Sequence, residues 1–209
     1  MEKRARHDLR ETSQRTLAHY GRSAGTFWDG TKGHDVTQNY DAFLGAIEVA
    51  PPLTLLDLGC GPGRDLRYFR SLGHVAVGLD GCPEFVRMAC TYTGCEVLEQ
   101  SFLALDLPHG TFDGIFANAS LFHVPTSELP RVLGELRDAL KPGGILFSSN
   151  PHGNDDEGWS GDRYGAYHRL ETWRRFVTAA GFVELSHYYR PAGRPRAEQP
   201  WLATVYRKA

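Results

Sequence analysis

The sequence has little of what marks a disulfide-rich, metal-binding or membrane-spanning protein. Its 209 residues include four cysteines, none in a Cys-x-x-Cys pair, and nine scattered histidines without a His-Glu-x-x-His pattern. No apolar run approaches the roughly 18 residues that cross a bilayer, and the polar N-terminus lacks the apolar core of a signal peptide. We therefore expect reduced thiols, no metal site and a cytoplasmic protein.

An excess of charge of one sign is missing as well. The formal net charge is -2, and acids are interleaved with the basic residues of the N-terminal segment, a pattern typical of a solvated helix face. This balance gives no electrostatic reason to expect nucleic acid or a membrane surface as a partner. A length of 209 residues with 41% hydrophobic content instead suits one globular domain, expected to span residues 1–209.

What the chain does contain is an alternation of short apolar segments with helical segments of about ten residues, which predicts an α/β, Rossmann-like, doubly wound and mostly parallel sheet. The last two strands have no helix between them, so they must form an antiparallel hairpin at one edge, with the last strand reversed. The seven predicted strands are Thr54–Leu58, Val75–Leu79, Glu96–Leu98, Phe112–Ala117, Ile145–Ser149, Phe182–Tyr189 and Leu202–Arg207.

Two further segments flank this pattern. Residues 1–50 are predicted to form a helical cap, with a helix over 12–20, an irregular glycine-punctuated loop over 20–30 and a second helix over 36–49. Residues 151–169 form a long aromatic stretch between the fifth strand and the next helix. Loops of this length in a compact domain are usually functional or disordered, and the aromatic content favours a lid.

The first predicted strand runs into the glycine-rich turn Gly59-Cys60-Gly61-Pro62-Gly63. A dinucleotide turn would need glycine where Arg64 stands, and the Gly-Lys-Ser/Thr ending of a phosphate-binding loop is missing. A ligand can lie directly against such a turn, facing the N–H groups of the following helix. The turn favours a site for S-adenosylmethionine, and a purely structural turn is the alternative.

Other strand ends supply polar groups to the same edge of the sheet. Asp80 ends the second strand about 20 residues past the glycines, where a carboxylate can accept ribose hydroxyls; capping of the helix at Pro83 is the alternative. The segment at Ser101 would border the adenine, although Phe102 can equally be a core residue. The predicted cofactor-binding residues are Tyr20, Arg22, Asp57, Gly59, Cys60, Gly61, Asp80, Gly81, Ser101, Phe102, Asn118 and Ala119.

Three features, namely Asp57–Gly63, Asp80 and the Lys-Pro-Gly-Gly turn within Leu140–Gly144, together resemble class I S-adenosylmethionine-dependent methyltransferases over about residues 50–190. Four longer segments resemble the C-terminal methyltransferase domain of ovothiol-biosynthesis enzymes, namely 21–30, 112–125, 147–151 and 187–193. The resemblance implies methyl transfer from S-adenosylmethionine, which becomes S-adenosylhomocysteine, to a ring nitrogen of 5-mercaptohistidine.

In that family an upstream non-haem iron domain joins cysteine to histidine. This chain has no room for such a domain and lacks its His-x-x-x-His-x-His run. We therefore expect either a stand-alone methyltransferase or an excised domain, with a separately encoded iron-dependent sulfoxide synthase as functional partner.

The acceptor site is expected at the ends of strands four and five and in the aromatic segment. His123, Tyr164 or Tyr167 would accept a ring N–H of the substrate and fix its tautomer, and Arg163 would bind its carboxylate. The predicted substrate-binding residues are Phe27, Trp28, Asn150, Arg163, Tyr164, Tyr167 and His168. Two alternatives stay open: methylation of another small-molecule nitrogen, oxygen or sulfur, and a non-catalytic cofactor-binding protein.

Overall fold

The computed structural model describes residues 2–209, so the first residue of the predicted 1–50 cap lies outside the described part of the chain. The helices are α1 (Glu2–Arg22), α2 (Ala24–Thr31), α3 (Thr37–Leu44), α4 (Arg64–Ser71), α5 (Pro83–Thr93), α6 (Leu129–Ala139) and α7 (Leu170–Ala179). The strands are β1 (Thr54–Leu58), β2 (Val75–Asp80), β3 (Val97–Glu99), β4 (Phe112–Asn118), β5 (Leu140–Pro151), β6 (Asp156–Ser160), β7 (Arg163–Tyr167), β8 (Phe182–Arg190) and β9 (Trp201–Lys208).

Seven strands form the main sheet in the order β3-β2-β1-β4-β5-β9-β8. The pairs among β1 to β5 are parallel, whereas β9 is antiparallel to both β5 and β8. The predicted fold class, including the reversed last strand, is therefore confirmed. Strand β9 lies between β5 and β8, so the hairpin closes the sheet with β8 at its edge.

The central strands are buried on both faces because apolar layers cover the sheet on each side. Leu56 and Ile115 belong to one core cluster, and Leu55, Phe116 and Phe147 belong to the other. This explains why β1 and β4 read as nearly continuous apolar runs rather than as alternating patterns. The two layers leave the carboxyl ends of β1, β2 and β4 as the open edge where ligands bind in such folds.

The cap is more helical than its sequence predicts. The expected loop over 20–30 was wrong, since α1 runs to Arg22 and α2 begins at Ala24. Glycines weaken isolated helices, but here packing fixes the helix: the Phe27 ring lies 5.5 Å from that of Tyr20 and 5.1 Å from that of Phe85. Tertiary contacts supply most of the stability of short helices. The second cap helix, α3, ends at Leu44 rather than at residue 49.

The aromatic segment after β5 is an ordered hairpin in which β6 pairs with β7 around a two-residue turn. It packs against α1, where the Tyr164 N–H donates to Thr16 Oγ1 at 3.1 Å. At the hairpin turn, Asp162 forms ion pairs with Arg15 and Arg22, each at 2.9 Å. The hairpin therefore holds α1 over the open edge of the sheet. Within residues 2–209, no helix combines the length and apolarity needed to cross a membrane.

Candidate active site

A cavity of about 630 Å³ lies at the open edge of the sheet, beneath α1 and α2. Its size falls within the range of about 300–1,000 Å³ that is common for small-molecule sites. Most of the predicted site residues line it, namely Tyr20, Phe27, Trp28, Gly59, Cys60, Gly61, Asp80, Gly81, Ser101, Phe102, Asn118, Ala119, His123 and Arg163. Residues predicted from separate strand ends and from the cap therefore meet in one place.

The glycine turn forms the floor of the cavity through a backbone conformation that suits glycine. Gly59, Gly61 and Gly63 have φ angles of 75°, 53° and 97°, in the left-handed region that side chains disfavour. A Cβ atom on Gly59 would lie 2.4 Å from the Ser120 Cβ. One side of the turn therefore packs tightly against Ser120. The turn exposes main chain without side chains to the cavity at Gly59 and Gly61.

Asp80 connects this turn to the start of α5. Its Oδ2 accepts the Gly61 N–H at 2.9 Å, and its Oδ1 accepts the Cys82 N–H at 2.8 Å. Burial raises the pKa of Asp80 to about 6, so the carboxylate is mostly ionised at neutral pH. The helix-capping alternative therefore holds at Cys82, and each oxygen keeps a lone pair that can accept a ribose hydroxyl.

Other acids around the cavity favour a cationic ligand. Asp57 is 2% exposed, and its Oδ2 has no hydrogen-bond partner in the described chain. Burial raises the pKa of Asp57 well above its usual range, with a further contribution from Asp65. A positive charge in the adjoining cavity would favour ionised Asp57. The ammonium and sulfonium groups of S-adenosylmethionine provide such charge, so the residues present fit this cofactor.

Asp65 belongs to a buried hydrogen-bond network that sequence reasoning missed. Its Oδ1 accepts the Tyr40 hydroxyl and the Arg64 Nε–H, each at 2.6 Å, and its Oδ2 accepts the Asn118 amide at 3.1 Å. Asn118 Oδ1 in turn accepts the Asn39 amide at 3.0 Å. These contacts occupy the Asn118 side chain, so its backbone carbonyl remains as the group that can accept a ligand ammonium. The sequence signal for this network was Asp65, an acidic residue in the first helical turn after the glycines.

In the short helical turn Leu121–His123 that follows β4, His123 is held between two partners. Its Nδ1 lies 2.6 Å from the Tyr164 carbonyl oxygen, and its Nε2 lies 2.8 Å from the Tyr20 hydroxyl. Burial lowers the pKa of His123 to about 4, so the ring is neutral at pH 7. Because a carbonyl oxygen can only accept, Nδ1 carries the proton and Nε2 accepts the Tyr20 O–H. Both ring nitrogens are therefore paired, which argues against the expected contact between His123 and a substrate N–H.

Several predicted site residues lie outside the cavity lining. Arg22, whose side chain is 62% exposed, pairs with Asp162 on the surface. Asp57 is buried beneath the turn. Asn150 lies behind the cavity, where its Oδ1 accepts the Phe122 N–H at 3.2 Å. This residue lies within strand β5 and is buried, so its side chain serves the packing behind the cavity.

Three predicted side chains in and just after the hairpin lie outside the cavity lining. The Tyr164 ring packs on Trp159 at 5.5 Å, and burial together with the Glu157 carboxylate raises its pKa to about 12. The Tyr167 ring stacks at 6.0 Å on Phe122, and His168 lies 6.3 Å from the Trp173 ring. At Tyr164 the main chain, rather than the side chain, reaches the site through its contact with His123.

The structure adds lining residues from the far end of the sheet. Arg190, at the end of β8, and Trp201, at the start of β9, line the cavity. The Arg190 Nη2 donates to the Asp35 carbonyl at 2.8 Å, which ties β8 to the segment before α3. Their contribution follows from the position of β9 between β5 and β8, and no local sequence pattern reveals it.

The sequence also matches known proteins. A family model described as a methyltransferase domain covers residues 56–148. A sterol 24-C-methyltransferase of Gibberella zeae is 28% identical over 176 residues, which make up 74% of this chain and 46% of that protein. A 2-methyl-6-phytyl-1,4-hydroquinone methyltransferase of Synechocystis is 30% identical, over 54% of this chain and 36% of its own length. The chain therefore spans half or less of the length of these relatives.

Solved structures agree with the fold. The 1,6-didemethyltoxoflavin-N1-methyltransferase of Burkholderia thailandensis, solved with 1,6-didemethyltoxoflavin and S-adenosylhomocysteine bound, has a TM-score of 0.73 and 22% identity. The match covers 99% of this chain and 90% of that one. A methyltransferase of Leishmania major has a TM-score of 0.77 with 15% identity, over 95% of this chain and 82% of that one.

The reversed β9, the glycine turn and the strand-end Asp80 thus belong to a class I S-adenosylmethionine-dependent methyltransferase fold. Residues 56–148 match the methyltransferase domain model, and the structure has the fold of S-adenosylmethionine-dependent methyltransferases. The predicted enzyme class and cofactor are confirmed at this level. The roles of individual site residues and the identity of the methyl acceptor stay predictions.

Proposed function

We propose that this chain transfers a methyl group from S-adenosylmethionine to a ring nitrogen of a small heteroaromatic acceptor, with 5-mercaptohistidine as the specific substrate. The observation that carries the proposal is the composition of the cavity of about 630 Å³ at the open edge of the sheet. The Asp80 carboxylate lines one part and the buried Asp57 lies beside it, while a flat ring and two arginines line other parts, at Trp28, Arg163 and Arg190.

The acidic part suits the cationic donor, and the arginines suit a carboxylate. S-Adenosylmethionine, when bound, supplies a methyl group already activated on a sulfonium, so the protein mainly has to hold the acceptor in line with it. Such positioning can contribute about 7–11 kcal/mol toward lowering a barrier. Arg163 and Arg190 can each make two-pronged contacts with the carboxylate of an amino-acid acceptor, and Phe27 and Trp28 can stack on its ring.

Two similarities support a ring nitrogen as the methylated atom. The Burkholderia enzyme with the same fold is named for N1-methylation of 1,6-didemethyltoxoflavin. The segments 21–30, 112–125, 147–151 and 187–193 resemble the methyltransferase domain of ovothiol-biosynthesis enzymes. The expectation of a separately encoded sulfoxide synthase, which would supply the thiolated histidine, is part of this proposal.

The test is turnover with labelled S-adenosylmethionine and a panel that contains 5-mercaptohistidine, histidine, and small phenol, thiol and amine acceptors. We expect labelled N-methyl-5-mercaptohistidine, with histidine much slower because it lacks the thiolate. Asp80→Asn should lose most of this activity, whereas the matched surface variant Asp106→Asn should retain it. Methylation of another acceptor in preference to 5-mercaptohistidine would refute the substrate, and binding of S-adenosylhomocysteine without any turnover would refute catalysis of these reactions.

A further inference from the structure

A chain of hydrogen bonds beside the cavity has a fixed direction. It begins at the backbone carbonyl of Tyr164, which can only accept, and this requires the proton of His123 to reside on Nδ1. Neutral His123 therefore presents a lone pair at Nε2, and the Tyr20 hydroxyl, 2.8 Å away, donates into it. A phenol has only one proton, so the Tyr20 oxygen has none left to offer to a ligand.

The groups around Tyr20 keep this arrangement stable. Burial raises the pKa of Tyr20, opposed by the Arg163 guanidinium, while Asp80 and Tyr167 add to the rise. Burial lowers the pKa of His123, and Arg163 and His19 act in the same direction. The Tyr20 phenol therefore keeps its proton and the His123 imidazole stays neutral. Near pH 7 neither group reverses the direction of the hydrogen bond between them.

Packing also fixes the position of Tyr20. Its ring lies 5.5 Å from Phe27, 5.7 Å from Phe85 and 5.4 Å from the His123 ring, and it lines the cavity. The oxygen is thus held in place by rings on three elements, and the Arg163 guanidinium donates to one of its lone pairs, which leaves its other lone pair for a ligand. A ligand group at this position must be a hydrogen-bond donor.

From this we infer that Tyr20 is the specificity-determining acceptor for the substrate ring, binding its N–H so that the opposite ring nitrogen presents its lone pair to the methyl group. This inference rests on the proposed function, since it presumes an imidazole acceptor. Tyr20 then selects the reactive tautomer, the role that the sequence suggested for His123. It also selects the methylated nitrogen, because the nitrogen bonded to Tyr20 cannot attack.

The test compares binding of the two N-methyl isomers of 5-mercaptohistidine to the protein loaded with S-adenosylhomocysteine, measured by calorimetry. As the zwitterion that methyl transfer produces, with an ionised thiolate and a protonated ring, one isomer carries its remaining N–H toward Tyr20, whereas the other carries a methyl group there. Leaving a buried acceptor unpaired corresponds to roughly 10–100-fold in affinity. We expect this preference in the unaltered protein and in the control Tyr189→Phe, whose residue does not line the cavity.

Tyr20→Phe keeps the ring packing and removes the oxygen, so the preference should fall to within about threefold while affinity for S-adenosylhomocysteine stays unchanged. His123→Phe removes the acceptor of the Tyr20 proton and should reduce the preference as well. An undiminished preference in Tyr20→Phe would overturn the inference. The inference would also be overturned if Tyr20→Phe weakened S-adenosylhomocysteine binding as much as it weakened the isomer preference, because Tyr20 would then belong to the cofactor site.

Because binding is measured without turnover, the two proposals can fail separately. The protein could discriminate between the isomers through Tyr20 and yet never methylate 5-mercaptohistidine. That result would refute the proposed reaction and support Tyr20 as the acceptor for a ring N–H. If the protein methylated 5-mercaptohistidine but bound both isomers equally well, the proposed reaction would be supported and the role of Tyr20 would be refuted.

Discussion

The contacts of Asp80 allow one prediction to be developed in detail. Its two oxygens accept the N–H groups of Gly61 and Cys82 at 2.9 and 2.8 Å, and their remaining lone pairs face a ligand. Asp80→Asn preserves the shape but turns one acceptor oxygen into a donor NH₂. Either a backbone N–H or a ribose hydroxyl must then lose its partner, so we expect weaker cofactor binding.

The size of the effect follows from the type of hydrogen bond. A hydrogen bond to a charged group contributes about 1.5–3 kcal/mol, which corresponds to a rise in Kd of about 10–150-fold. Burial raises the pKa of Asp80 to about 6, so acid should mimic the substitution. As the pH falls below about 6, protonation removes an acceptor, and the affinity of the unaltered protein should fall by up to about tenfold per pH unit.

Calorimetric titration with S-adenosylhomocysteine between pH 5 and 8 measures both effects. Asp80→Asn should bind weakly at every pH with a nearly flat profile, whereas the control Asp106→Asn should follow the unaltered protein. Thermal melting shows whether each variant is folded. A folded Asp80→Asn protein whose Kd lies within twofold of the unaltered value, or which keeps the pH dependence, would refute the assignment of Asp80 to the ribose.

Three further predictions concern other parts of the site and the core. Arg163→Ala should raise the KM for the amino-acid acceptor about tenfold or more, with S-adenosylhomocysteine affinity unchanged; equal changes in both would argue against a substrate role. His123 stays neutral in the folded state while the unfolded chain takes up a proton, so stability should fall by at most about 3 kcal/mol as the pH drops from 6.5 through 4; urea unfolding of His123→Phe should show a shallower decline. Phe116→Ala should cost about 3–5 kcal/mol in the same assay, because the buried ring stacks on Phe147 at 4.7 Å.

The sheet and the cofactor side of the site were accessible from sequence because their signals are local. Strand β1 and its glycine turn occupy one short continuous stretch, and Asp80 follows from the position of the next strand end. The reversal of β9 follows from the missing crossover helix after β8. Each of these inferences needs only residue type, spacing and the rules of parallel sheets.

The acceptor side was less accessible because its contacts join distant parts of the chain. The bond between Tyr20 and His123 spans 103 positions, and the bond between Asn39 and Asn118 spans 79. In the hairpin, β6 lacks the alternating apolar pattern that predicts a strand, so the register that sets its side-chain directions was not visible. Residue type thus indicated an aromatic site. Which side chains form hydrogen bonds with each other, and which of them donates, depends on tertiary structure.

The end of β4 joins the two sides of the cavity, and its backbone geometry is itself informative. Ala119 has a φ of 61°, and its N–H donates to the Ser149 carbonyl at 2.7 Å. A non-glycine residue in this region costs of order 1–3 kcal/mol and persists where surrounding contacts enforce it. The buried amide network holds Asn118 on one side, and the paired His123 ring holds the chain on the other. The strained turn therefore lies between the Asn118 carbonyl, which can accept a cofactor ammonium, and the Tyr20–His123 pair, which we propose orients the substrate ring.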